Sequence, residues 1–369
     1  MSRVFVLAAG NERGGGASHL VTYARALKAS SSPLADNIVF VIAGDGYLRE
    51  RLEPVAAHVE IINGAPRAAI AALTALLARH PEAHVHAHGP RWNLIASRAS
   101  RAARRSWTAT IHSHPKTDFL TSRWKSVVLP RLNRLALRRA AGLFVVHPQF
   151  AQLFPDKPCR FVPNAVEPVQ LSQPKEFYRK QLRDRLNLAE DTLVAGTAAR
   201  LDKVKDLDTM IRAFALLPAD RHLAIAGDGP ERDHLQALCR TLDVQDRVHF
   251  LGFIDDVHTF YAGLDVHVLS SISEGTPTSV LEAGWLRVPN VGTDIPGLTH
   301  LIVNDETGCT CPVGDAAALA AALSRVLDHP ERAVAYAARF YDTVLPRFLP
   351  SRMVDAYFEG YETFFRERE

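Results

Sequence analysis

The chain has 369 residues, 47% of them hydrophobic and 22% charged, with a formal net charge of +3. That length exceeds one ordinary hydrophobic core and predicts two domains of globular composition. No apolar run reaches the ~20 residues that cross a bilayer, and Ser2–Ala9 leads straight into a strand-like run without a basic, cleavable leader, so a cytoplasmic location is expected.

The two halves differ in charge. Residues 1–165 hold 22 Lys and Arg against 9 Asp and Glu, a net of +13, whereas residues 166–369 hold 21 against 31, a net of −10. Such asymmetry points to an anionic partner for the first half, an acidic substrate or a membrane surface. Nucleic acid is not expected as a partner. The four cysteines, Cys159, Cys239, Cys309 and Cys311, lack zinc-type spacing and read as reduced structural thiols. Cys309 and Cys311 flank one residue, so on a strand they would share a face.

Strand-like runs in the first half fall at Val4–Ala8, Ile38–Ala43, Val59–Ile62, His84–His86, Trp107–Ile111 and Leu143–Val146. Helical patterns such as His19–Lys28, Arg67–Arg79 and Trp92–Arg104 lie between them. Strand, helix, strand at this spacing predicts a parallel sheet covered on both faces, with ligands outside the carboxyl ends of its strands. The loop after the first strand, Gly10–Gly16, ends in three glycines, and a helix is expected to open at Ala17–Ser18. Glycines there let a ligand approach bare backbone at a positive helix end, although the spacing is not the dinucleotide fingerprint.

His86 and His88 are placed after the fourth strand, and His112 and His114 after the fifth. No acidic ligand completes a metal site among them, and none is expected. His112, directly after a buried strand, is well placed to donate a hydrogen bond into a ligand cleft. Residues 121–141 interleave Arg123, Lys125, Arg131, Arg134, Arg138 and Arg139 with Trp124 and aliphatic residues, interrupted by Pro130. This basic amphipathic stretch suits an anionic membrane surface, or a sheet-covering helix with arginines on its wet face.

The prolines of Phe161–Pro168 mark a linker, dividing the chain at 1–165 and 166–349. Beyond it, strands are expected at Leu193–Thr197, His222–Ala226, Val248–Leu251, Val266–Leu269 and Asn290–Gly292, and helices at Asp208–Leu217, Glu231–Leu242 and Asp256–Ala262. The strand ends carry the chemistry. Arg200 and Lys205 follow the first; as a planar fork and a mobile point charge they suit a diphosphate. Gly227 opens a tight loop after the second. Phe253 and Ile254 follow the third, where backbone could edge a base. After the fourth comes Ser270–Gly297, with Glu274 in a loop and Glu282 in the following helix, for which Thr276 is the expected cap and Pro277 the first residue. Carboxylates eight residues apart suit two parts of one extended ligand better than one shared proton.

The series Arg200-Leu-x3-Lys205, Ala-Gly-Asp-Gly-Pro-Glu, Phe-Leu-Gly-Phe, Glu274-x7-Glu282 and Thr293–Gly297 resembles the retaining glycosyltransferases of the GT4 group. The resemblance implies an α/β GT-B fold: two Rossmann-like domains facing across a cleft, acceptor-binding 1–165 and donor-binding 166–349, with 350–369 a helix returning to the first domain. It implies transfer of a hexose or N-acetylhexosamine from a nucleotide sugar, UDP-linked, to a glycan or lipid-linked acceptor in cell-envelope polysaccharide synthesis. No metal or other cofactor is implied, and a peripheral place on the inner face of the membrane is.

Family roles then fall on residues of this chain. Glu282 would hold the ribose hydroxyls, and Arg200 and Lys205 the diphosphate. Glu274 with Gly275, Thr276, Pro277 and Thr278 would hold the donor sugar. His112 would contact a sugar hydroxyl, Gly227, Phe253 and Ile254 would line the nucleotide, and Gly15 and Gly16 would make room for phosphate and acceptor. The chain departs from the family pattern at Ala165, where Gly is usual, at Trp285 and Arg287, where small residues are usual, and at His19, where an acid is common. Competing readings are a catalytically silent nucleotide-sugar-binding protein of the same fold, a sugar-nucleotide epimerase, and transfer to a soluble metabolite.

Overall fold

A computed structural model describes residues 2–12, 14–30, 32, 35–112 and 125–366, with side chains outside 125–128. The chain forms two compact units, Met1–Ala165 with Pro350–Glu369, and Val166–Leu349.

The first unit is built on seven parallel strands: β1 (Val4–Ala9), β2 (Ile38–Ala43), β3 (Val59–Ile62), β4 (His84–His88), β5 (Trp107–Ile111), β6 (Gly142–Val145) and β7 (Cys159–Phe161). Their order across the sheet is β3-β2-β1-β4-β5-β6-β7. Central β1 sets Val4 opposite both Ile38 and His84. Its side chains alternate: Phe5 and Leu7 join the core under the helices Pro66–Arg79 and Pro90–Ala103, while Val4, Val6 and Ala8 face the other core. That second core is completed by the terminal helix Pro350–Phe365 through Met353, Val354, Tyr357, Phe358 and Tyr361. The fit is close, since a Cβ on Gly360 would lie 2.2 Å from the Phe144 ring.

The second unit repeats the plan with six parallel strands: β8 (Leu193–Ala198), β9 (Arg221–Ala226), β10 (Val248–Gly252), β11 (Val266–Leu269), β12 (Asn290–Thr293) and β13 (Gly308–Cys311). They run β10-β9-β8-β11-β12-β13. Cys309 and Cys311 share one buried face of β13, and all four cysteines are free thiols. Behind the amino ends of the strands, the fully buried Arg183 pairs with Asp265, which also takes Arg179. Among the described residues, no helix is long and apolar enough to cross a membrane.

Several expected boundaries are corrected. β4 runs on to His88, so His86 lies inside the strand; its ring nitrogens are both bonded within the core, which lets a polar residue stay there. The first helix begins at Gly15, because the chain turns at Gly14 (φ 76°) and Ser18 N bonds back to Gly14 O. Thr276 does not cap the helix that carries Glu282. That helix spans Thr278–Trp285 without a side-chain cap, and buried Thr276 meets His300 instead. Residues 121–124 of the basic stretch and His114 lie outside the described residues. From Lys125 to Leu137 the chain is a helix containing Pro130, whose Ala136 and Leu137 enter the core while Arg131 and Arg134 are exposed; Arg138 and Arg139, just past its end, are exposed as well.

Candidate active site

In each sheet the strand order changes direction at one point, between β1 and β4 in the first unit and between β8 and β11 in the second. Loops leaving such strands part to opposite sides and open a crevice at their carboxyl ends. In the second unit, the loop after β8 carries Arg200–Lys205 and the loop after β11 carries Ser270–Glu274.

These two loops are stitched together. Asp202 Oδ1 accepts from Val204 N (3.1 Å) and Lys205 N (3.3 Å), closing a short turn over Lys203–Lys205. The Ser270 hydroxyl donates to the carbonyls of Lys205 (2.8 Å) and Asp206 (2.9 Å), and Ile272 N donates to Val204 O. Thr293 Oγ1 donates to Ser271 O from β12. Fixed in this way, Lys205 Nζ donates to Glu274 Oε1 at 2.5 Å, and Ser271 Oγ donates to the same oxygen at 2.6 Å. Glu274 Oε2 makes no bond among the described residues. Gly297 seats the next loop against this carboxylate's backbone: a Cβ there would come within 2.4 Å of Glu274 O. Arg200 is unlike Lys205. Its side chain is 72% exposed and only loosely tied to Asp202, at 3.5 Å.

Glu282 stands four residues into its helix. Its carboxyl forms no hydrogen bond or ion pair among the described residues and neighbours the buried Tyr261. Desolvation alone pushes it up to about 7. Gly227 (φ 127°) donates its N–H to Gly252 O at 2.7 Å, tying the loop after β9 to the end of β10. Beyond that tie Phe253 is 70% exposed, a free aromatic face, while Ile254 packs into the core behind it.

The first unit gathers histidines at its own switch point. His19 Nδ1 bonds to Asn164 Oδ1 (2.8 Å) and its Nε2 to Tyr357 OH (2.7 Å). Tyr357 OH meets Thr110 Oγ1 (3.0 Å), which meets His86 Nε2 (2.7 Å), and His86 Nδ1 meets Tyr361 OH (2.5 Å). Asn164 Oδ1 only accepts, which orients every proton in this series: His19 donates to Asn164, Tyr357 to His19, Thr110 to Tyr357, His86 to Thr110 and Tyr361 to His86. Beside it, His88 Nδ1 lies 2.9 Å from His112 Nε2. Burial holds His19 down at about 4, and burial with neighbouring imidazoles holds His86, His88 and His112 well below the usual range, so all four are neutral at pH 7. Gly15 and Gly16 open the helix beside this series, and a Cβ on Gly15 would meet nothing within 4 Å.

Within the second unit the structure thus joins Lys205 to Glu274, and leaves Arg200, Glu282 and Phe253 unpaired or nearly so. In the first it brings His112 to His88. Gly275, Thr276, Pro277 and Thr278 lead from Glu274 into the helix of Glu282. Residue types alone did not single out Asp202, Ser270, Ser271 or the His19–Tyr361 series. A serine beside Glu274 carries no signal without the loop crossing, and the histidine partners are far away in the chain.

Residues 6–169 match the family of the glycosyl transferase 4-like domain, and residues 178–341 match the glycosyl transferases group 1. The two matches together take in most of the chain, which belongs to this GT4-type family of glycosyltransferases and has its GT-B fold. A lipopolysaccharide core biosynthesis glycosyltransferase, LpsE of Rhizobium meliloti, is 32% identical over 177 residues, 48% of this chain and 52% of that one. An N-acetyl-alpha-D-glucosaminyl L-malate synthase of Bacillus anthracis is 30% identical over 179 residues, 48% of this chain and 47% of that one. The chain spans about half the length of these curated relatives. In shape it is similar to Anabaena HepE crystallised with UDP and glucose, with a TM-score of 0.83, 20% identity, and coverage of 98% of this chain and 100% of that one.

Proposed function

We propose that this protein is a retaining glycosyltransferase that moves a hexose or N-acetylhexosamine from a UDP-sugar to a glycan or lipid-linked acceptor in cell-envelope polysaccharide synthesis. The observation that carries the reading is the pair of loops holding Lys205 against Glu274, with Arg200 exposed beside them and Glu282 unpartnered among the described residues. Breaking the anomeric bond puts negative charge on the departing diphosphate. Lys205 and Arg200 supply fixed and mobile positive charge for it, the role a metal plays elsewhere. Lys205 trades Glu274 Oε1 for phosphate oxygen, and Glu274 then turns to the sugar hydroxyls together with the backbone of Gly275–Thr278. Glu282 accepts the two ribose hydroxyls, Phe253 and the Gly227 loop flank the base, and His112 takes a sugar hydroxyl. Gly15 and Gly16 leave space for phosphate and acceptor. Names among the relatives and the surplus of cations in residues 1–165 support an anionic or lipid-linked acceptor.

Incubating the purified protein with UDP-glucose tests the reading. Slow release of UDP is expected, insensitive to EDTA, with glucose first appearing as the α-anomer by proton NMR. Lys205→Ala and Glu274→Ala should each lower it at least about a hundredfold while the proteins stay folded. If a screen of sugar nucleotides yields neither thermal stabilisation nor hydrolysis, the assignment is wrong. The malate-acceptor relative favours a second reading, transfer to a small hydroxy acid. Product formation with L-malate but not with glycan acceptors would select it.

A further inference from the structure

The His88–His112 contact fixes more than distance. At 2.9 Å, one ring nitrogen must carry the shared proton and the other must accept it. His88 sits at the end of β4, 4% exposed, and its second nitrogen, Nε2, is buried without a partner among the described residues. Its neighbours cannot serve that nitrogen, since His86 and His19 both have their two ring nitrogens engaged elsewhere.

Two tautomers remain. With its proton on Nε2, His88 would strand a buried N–H, and His112 Nε2 would have to donate inward. With its proton on Nδ1, His88 strands only a lone pair, and His112 Nε2 accepts. Orphaned buried N–H groups are the rarer defect, which favours the second arrangement. The His112 ring is then obliged to carry its own proton on Nδ1. That nitrogen makes no bond among the described residues, and the side chain is only partly covered.

We propose that His88 is a positioning residue that donates Nδ1–H to His112 Nε2 and thereby locks His112 as an Nδ1–H donor to a ligand oxygen. The identity of that oxygen rests on the glycosyl-transfer reading; the tautomer does not. Depressed basicity of both rings keeps the pair neutral at working pH, so the tautomer decides what His112 offers. An N–H fits an oxygen gaining negative charge, whereas a lone pair would demand a proton from the substrate.

The test is NMR of the full-length protein with ring-15N histidine, the His112 signals being assigned by their loss in His112→Gln. A neutral His112 protonated at Nδ1 is expected. His88→Ala should release it to the Nε2–H form that imidazole prefers in water. The amide of Asn reaches where Nδ1 was and that of Gln where Nε2 was, so His88→Asn should keep the Nδ1–H form and His88→Gln should lose it. The Asn/Gln pair decides if His88→Ala does not fold. With UDP-glucose, kcat should fall about tenfold or more in His88→Gln, with KM within about twofold, and recover in His88→Asn. Nε2–H in the wild type, or one unchanged tautomer across all variants, overturns the proposal. So does an unaltered kcat in His88→Gln. If no sugar nucleotide is hydrolysed by the wild type, the glycosyl-transfer reading fails, and the NMR result alone decides the tautomer.

Discussion

The two units set polar side chains at equivalent places in equivalent sheets, yet hold them by opposite means. At the β1/β4 switch point the groups are neutral, buried and chained: each nitrogen and hydroxyl of the His19–Tyr357–Thr110–His86–Tyr361 series satisfies the next. At the β8/β11 switch point they are charged and half open: Lys205 and Glu274 answer each other, and Glu282 has no hydrogen-bond or ion-pair partner among the described residues. A neutral chain tolerates full burial because no group in it must shed a charge's hydration. A charged site needs rigid loops, since a partly exposed ion pair contributes little by itself and cannot position its own backbone. The first region therefore fastens the terminal helix, while the second leaves bonding capacity unused among the described residues.

The sharpest break between the two comes from adding one methyl group on each side. A Cβ on Gly227 would lie 2.0 Å from Ala199 O, at a φ of 127° that side chains rarely adopt. Gly227→Ala should cost about 3 kcal/mol or more and abolish UDP binding. Gly15→Ala finds open space in a helical turn and should change stability by less than about 1 kcal/mol in either direction. Denaturant unfolding with UDP titration reads both. Equal losses would mean that the loops after β8 and β9 are not rigidly nested.

Acid should separate the units next. His19 takes up a proton at about 6.5 when unfolded and at about 4 when folded. Between those values the unfolded chain binds more protons, so stability is lost as pH falls from about 6.5 to about 4. For His19 alone the loss is on the order of 3 kcal/mol. His86, His88 and His112 shift in the same direction. The second unit has one fully buried counterpart, His267 against Asn290. Hydrogen exchange followed peptide by peptide should show the helix Pro350–Phe365 and β4 opening first at pH 5. His19→Gln should be weaker at pH 7 yet lose less on acidification, and an unchanged slope would separate the acid response from the histidine series.

Much of the sheet was legible because branched and aromatic runs bounded by turn residues announce strands. Ile38–Ala43, Val59–Ile62 and Trp107–Ile111 are found where expected. β7 and β13 carry no such signal: one is three residues long, and the other, Gly-Cys-Thr-Cys, lacks a strong apolar pattern. The helix Lys175–Leu186 was missed because only Tyr178, Leu182, Leu186 and, unusually, Arg183 are buried on an otherwise charged surface. Arg200, Lys205, Glu274 and Glu282 were legible as residue types at strand ends. Their states were not. That Glu274 is paired and Glu282 is not depends on how the loops after β8 and β11 cross. The histidine series was out of reach, since Asn164 and Tyr357 meet His19 from 145 and 338 residues away.

The smallest effect concerns Glu282, and it is the one that ties stability to binding. Its folded carboxyl takes a proton at about 7, against about 4.5 unfolded. Between those values the folded chain binds more protons, so ionising Glu282 costs stability as pH rises through this window. The empty Glu282→Gln protein should then be more stable than wild type at pH 8, by on the order of 1–2 kcal/mol once the solvent reaching the group is allowed for. Donor binding should move oppositely. UDP-glucose has no group titrating near neutrality, so a Kd that weakens about tenfold per pH unit below 7 would report the carboxylate itself. In Glu282→Gln the Kd should be weaker at pH 8 and flat with pH. A variant that binds like wild type, or one less stable at pH 8, would mean that Glu282 is an ordinary structural carboxyl. The expected pair of results would instead show a group kept poorly solvated and unpartnered because the ligand's hydroxyls, and not the protein, complete its hydrogen bonding.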